Sequence, residues 1–175
     1  MIKVLGIDPG TNQTGFGVVG KRGNHLFHID SGTIKLSHKK TLSEKLFLIH
    51  QEISSIISFH KPEALVIEEA FYAQNIRSSM VLAHARGTVM VTGKIHNLPC
   101  FEYSALEVKR ASTGYGRATK EQVFEMIKRL LNLQNEQLQS FDQSDALSIA
   151  ICHLNAFDLQ KKLEAHQPVQ GKHHT

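Results

Sequence analysis

Five carboxylates stand where apolar runs end or begin. Asp8 closes the first run, Glu68 and Glu69 close a later one, and Asp142 and Asp145 open an amphipathic stretch. Pro9-Gly10 forces a turn immediately after Asp8, which sets that side chain at a strand end. Parallel strands align their carboxyl ends along one side of a sheet, where ligands gather, so Asp8 and Glu68 become neighbours if their strands run together. Period-two alternation sends Glu68 and Glu69 to opposite faces, so at most one of them joins such a site. Asp142 and Asp145, three positions apart, share nearly one face at the start of a helix. Carboxylates gathered in this way repel one another, and burial makes their ionised forms costlier still, unless a cation neutralises them. Oxygen ligands without cysteine or a histidine pair suit a hard ion such as Mg²⁺ or Mn²⁺ better than zinc. Two such ions about 4 Å apart activate a water and stabilise the leaving oxygen of a phosphodiester, which is nuclease chemistry.

Taken singly, each acid has a plainer reading. Asp8-Pro-Gly makes a good turn by itself. Asp142 can serve as a helix N-cap, with Asp145 favoured by the helix dipole. Glu68-Glu69 can be a solvated strand terminus. The metal reading draws its weight from the combination of two acid-ended strands with a helix that opens on two acids.

The elements that would position these acids can be read from periodicity. The branched run from Ile2 to Ile7 predicts a buried strand ending at Asp8. Thr14 to Val19 and Leu26 to Leu36 predict two more strands, separated by the turn-forming Lys21-Arg22-Gly23-Asn24, and short links make the three an antiparallel meander. Leu42, Leu46, Ile49, Ile53 and Ile56 mark one face of a helix that begins at the capping box Thr41-x-x-Glu44 and stops at Lys61-Pro62. Ala64 to Glu69 predicts the fourth strand, residues 75 to 96 a mostly helical crossover, and Pro99 to Tyr103 the strand to which it returns. Ser104-x-x-Glu107 and Thr119-x-x-Gln122 cap two further helices on either side of a Gly-containing connector, Thr113 to Ala118. Asp142 to Phe157 predicts the last helix, with His153 as a packed core histidine. The sum is an α/β fold, a mixed central sheet flanked by helices. One domain over residues 1–157 accounts for these elements, and 158–175 is expected to be a flexible tail.

The totals agree with one domain: 175 residues, 41% of them hydrophobic. Lys and Arg number 20 against 16 Asp and Glu, a net +4 that permits a polyanionic partner without demanding one. Between Tyr103 and Arg129, however, six basic residues face three acidic ones, an excess suited to phosphate contact. Cys100 and Cys152 are too few and too far apart for a disulfide framework or zinc cluster, which fits a reducing, cytoplasmic setting. The chain opens without a signal-peptide pattern and nowhere reaches the roughly 20 continuous apolar residues of a spanning helix.

Gly6-Ile-Asp-Pro-Gly10, Val66-Ile-Glu-Glu-Ala-Phe71 with Asn75, Ala85-Arg-Gly87 and Asp142-Gln-Ser-Asp-Ala-Leu147 follow one another in an order that resembles the RuvC Holliday-junction resolvases. The resemblance extends to about His153. It implies a ribonuclease-H-like fold, a homodimer, and paired, symmetric, Mg²⁺-dependent nicks across four-way DNA junctions in recombination and repair. It also implies two ions per subunit, replaceable by Mn²⁺, and cooperation with the RuvA and RuvB branch-migration proteins. Matched motif by motif, the catalytic and metal-binding acids are Asp8, Glu68 in preference to Glu69, Asp142 and Asp145. Phe71 falls where the family contacts DNA near the junction centre, and Lys109 and Lys120 fall at its basic positions around the Gly-containing loop. Arg77, following Asn75, is a further candidate DNA contact. Two other classes compete. Gly6-Ile-Asp-Pro-Gly-Thr11 also looks like the first phosphate loop of actin-like ATPases and sugar kinases, but those close two such domains around a nucleotide. A catalytically silent DNA-binding module would have no use for acids that repel phosphate.

Overall fold

The branched residues that open the chain form β1 (Ile2–Asp8), and the turn after Asp8 leads into β2 (Gln13–Arg22) and β3 (His25–Lys35). The computed structural model describes residues 1–10, 12–69 and 76–165. Gly23, with φ of 57°, makes the tight turn between β2 and β3. Both strands run further than their apolar stretches, because ladder hydrogen bonds also take in polar ends such as Lys21 and Arg22.

Thr41 caps α1 (Leu42–His60) with a complete capping box to Glu44, and Lys61 ends it in a left-handed conformation. Ile49, Ile53 and Ile57 are its buried residues, whereas Leu42 at the first turn stays exposed. β4 (Ala64–Glu68), α2 (Ile76–Ile95) and β5 (Cys100–Tyr103) follow, then α3 (Ala105–Thr113) and α4 (Lys120–Leu130), both opened by the capping boxes at Ser104 and Thr119. α5 (Phe141–Ala165) continues past Phe157, where the apolar periodicity ends.

The five strands lie in the order β3-β2-β1-β4-β5. β1, β2 and β3 are antiparallel, while β4 pairs parallel with β1 and with β5. Alternation divides the core between two faces. Val4, Val19, Ala64 and Val66 pack with Val108, Val123, Ile127 and Leu147 of α3, α4 and α5. Leu5, Ile7, Val18, Leu65 and Ile67 pack with Ile49 and Ile53 of α1 and with Ala85 and Val89 of α2. No described helix is long and apolar enough to cross a membrane.

α5 lies closer to the sheet than side-chain packing would allow, because three glycines line its path. A Cβ on Gly6 would fall 2.1 Å from the Ala146 carbonyl oxygen, one on Gly15 equally close to that of Asp142, and one on Gly17 2.8 Å from the Leu147 nitrogen. Gly6 pairs with Gly17 and Asp8 with Gly15 across β1 and β2, so the glycines and Asp8 share one face. The helix rests backbone to backbone on that face.

Candidate active site

The register of β1 against β4 decides which carboxylates meet. Val4 lies opposite Ala64 and Ile7 opposite Ile67, so the next step sets Asp8 beside Glu68 at the carboxyl ends of adjacent parallel strands. Both belong to the face covered by α5, and Glu69 alternates to the other side. Gly15 seats the first turn of α5 directly over this edge, which delivers Asp142 and Asp145 to it. Asp142 is not the N-cap that its position permits. The helix begins one residue earlier, and the Ser140 hydroxyl accepts from the Gln143 N–H at 3.2 Å, as a cap does. Asp142 and Asp145 are thereby left to do something else.

The four acids share one electrostatic field. Burial pushes the Asp8 carboxyl up to about 8, and Asp145, Glu68 and Asp142 all add to the shift against Lys120. Glu68 is held above its ordinary value by burial and then by Asp145, with Lys109, Lys120 and Arg86 opposing. Asp145 is raised by burial, and Lys120 and Lys109 pull it back. Four acids against two lysines leave the cluster short of positive charge.

Both predicted lysines reach this field. Lys120, the first residue of α4, ion-pairs with Asp145 at 3.3 Å. A lysine at a helix N-terminus works against the dipole, and here the acids offset that cost. Burial alone would lower its pKa, yet Asp145, Asp8 and Asp142 hold it above the ordinary lysine value. Lys109 on α3 acts on Glu68 and Asp145 from further off. Phe71 and Asn75 lie outside the described residues, as does the side chain of Arg77, whose backbone enters the first turn of α2. His153 is a core residue: its Nδ1 is 3.0 Å from the Tyr103 hydroxyl, and burial lowers its pKa.

Two further residues brace the site. The Gln13 side-chain amide donates to the Asp142 carboxylate. The Arg86 guanidinium donates to the Glu68 backbone carbonyl and to the Glu102 carboxylate, tying the end of β4 to β5. Arg86 was visible only as part of Ala85-Arg-Gly87, and a glutamine opening a strand carries no signal of its own.

By donor chemistry the site fits a hard divalent ion: the groups it offers are carboxylates, partly buried, and short of countercharge. Among the described residues, no three His, Cys, Asp or Glu side chains close into a finished ion cage.

A mixed five-stranded sheet with acids on two adjacent parallel strand ends and on a covering helix defines a nuclease of the ribonuclease-H-like class. The family model for crossover junction endodeoxyribonuclease RuvC matches residues 4–153. The RuvC protein of Geotalea uraniireducens is 44% identical over 163 residues, covering 93% of this chain and 94% of its own. That of Geobacter sulfurreducens is 41% identical over 164 residues, covering 94% and 99%. The solved structure of Thermus thermophilus RuvC in complex with Holliday junction substrate superposes with a TM-score of 0.86 at 29% identity, covering 91% of this chain and 97% of that one. The chain belongs to the RuvC family of crossover junction endodeoxyribonucleases, metal-dependent hydrolases of junction DNA. Neither the ATPase reading nor the silent binding module is favoured.

Proposed function

We propose that Asp8, Glu68, Asp142 and Asp145 form the catalytic centre, holding two Mg²⁺ ions per subunit, replaceable by Mn²⁺, while the protein nicks a four-way DNA junction symmetrically on two strands. The observation that carries this reading is the β1/β4 register beneath the glycine-seated start of α5, which gathers acids from three elements at one sheet edge. Bound divalent ions supply activation of the attacking water and stabilisation of the leaving oxygen. The chain's own groups do the rest. The carboxylates fix where the phosphodiester reacts. Lys120, already paired to Asp145, exchanges that partner for the phosphate when DNA arrives, and Lys109 adds to the attraction. Phe71 contacts DNA nearer the junction centre, and Arg77 is a further DNA contact.

Two symmetric cuts require two centres, so the working unit is a homodimer. α2 supports this with Met80, Val91 and Ile95 exposed along a groove that it shares with Leu46 and His50 of α1. The reading extends to action with RuvA and RuvB in recombination and repair, in the cytoplasm.

A synthetic four-way junction and a linear duplex of the same sequence, each incubated with Mg²⁺ or with chelator, test the proposal. Paired nicks in the junction that disappear with chelator and with Asp145→Asn are expected. Equal cutting of the duplex would refute junction selectivity, and cutting that survives chelation would refute the metal centre.

A further inference from the structure

Asp142 and Asp145 leave the same helix turn but are held by groups of different kinds. Asp145 takes the ammonium of Lys120. Asp142 takes a neutral donor, the Gln13 amide, whose Nε2 donates to Oδ2. Gln13 opens β2 opposite Lys35, and the preceding residue is tied down by the Leu36 N–H, which donates to the Asn12 carbonyl at 2.8 Å. Two residues further on, Gly15 admits the Asp142 main chain against the strand. Asp142 is therefore fixed twice from β2, once through its backbone and once through its carboxylate. An amide on Oδ2 restricts rotation of the carboxylate and leaves Oδ1 to ligate. Unlike lysine, it brings no positive charge to compete with an incoming cation.

We propose that Gln13 is a positioning residue for the divalent-ion site, orienting the Asp142 carboxylate so that the ion meets a ligand already in place. The inference rests on the reading of Asp142 as a ligand. Gln13 is half-buried and also borders a polar cleft with His28, Ser31 and Lys35, so a side chain of other shape fits there without pressing on the core.

Calorimetric titration of the full, DNA-free chain with Mn²⁺ tests it, using wild type, Gln13→Met, Gln13→Ala and Asp142→Ala. Both Gln13 variants should bind Mn²⁺ about 10-fold more weakly or worse, as losses of groups supporting a ligand do. Their metal-free unfolding midpoints should stay near that of the wild type. The Mn²⁺ concentration for half-maximal junction nicking should rise by the same factor, with the saturated rate little changed. Wild-type affinity in either folded variant overturns the inference, even if its unfolding midpoint falls, since that pattern is a purely structural role. Binding lost in Asp142→Ala but kept in Gln13→Met overturns this inference alone. Binding absent from the wild type, or unaltered in Asp142→Ala, overturns the ligand reading and this inference with it.

Discussion

Asp8 titrates at about 8 in the fold against an ordinary value of 3.8, so between those values the folded chain keeps a proton that the unfolded chain has released. Stability of the metal-free protein must then fall as pH rises through that window, because the native state binds more protons there. Asp8→Asn removes the burden. In chelator at pH 8 it should stabilise the chain by several kcal/mol, and the gain should vanish near pH 2, well below the ordinary carboxyl value, where both states of the parent are protonated. Thermal unfolding at the two pH values measures this, and a gain equal at both would contradict the assignment. If Asp8 is a metal ligand, the same variant should lose about 10³-fold or more in nicking while still binding the junction, since the basic groups remain. The acids were legible because they sit at element ends. Whether Asp142 caps the helix was not, because a capping aspartate and a freed one look alike until the backbone shows that Ser140 takes the cap. Gln13 was hidden altogether: its meaning comes from a partner distant in sequence.

At the scale of elements, local chemistry was the readable part. The capping boxes at Thr41, Ser104 and Thr119 mark the starts of α1, α3 and α4, because the signal and the structure it forms are a few residues apart. The seat of α5 is the opposite case. Gly6, Gly15 and Gly17 read in sequence only as glycines in or near strands, and their purpose appears when a helix from the far end of the chain settles on them. Gly15→Ala tests that purpose. The added methyl meets the Asp142 carbonyl, a backbone group that cannot swing aside, so the first turn of α5 must lift. A loss of about 2 kcal/mol or more in stability is expected, in the range of overpacked cores. Junction nicking should fall more steeply than the stability loss explains, because Asp142 and Asp145 move with the turn. Denaturant titration beside a nicking assay separates the two effects. Full activity in a destabilised variant would mean that α5 tolerates displacement and that the glycines serve packing alone.

For the whole molecule, the face of α2 turned away from the sheet poses the largest question. Met80, Val91 and Ile95 are 57%, 59% and 60% exposed, spaced so that a single helical stripe carries them past His84 and Gly87. Sequence periodicity could not separate this stripe from a core-facing one, since α2 buries Ala85 and Val89 on its other side. If a second copy covers the stripe, Val91→Glu together with Ile95→Glu should yield a folded monomer by sedimentation, because two carboxylates cannot be desolvated in an apolar contact without countercharge. On a supercoiled plasmid carrying a cruciform, the dimer makes two nicks in one encounter and releases linear DNA, whereas the monomer should release mostly nicked circles. Gly87 sharpens the test. An added Cβ there meets nothing within 4 Å among the described residues, so alanine should strengthen an isolated α2 by about 1 kcal/mol. In a dimer whose helices approach at that point the same methyl intrudes, and the dissociation constant should rise. A stabilised Gly87→Ala protein with unchanged self-association would place the contact elsewhere on α2. A parent chain that sediments as a monomer and still linearises the plasmid would remove the need for a second copy altogether.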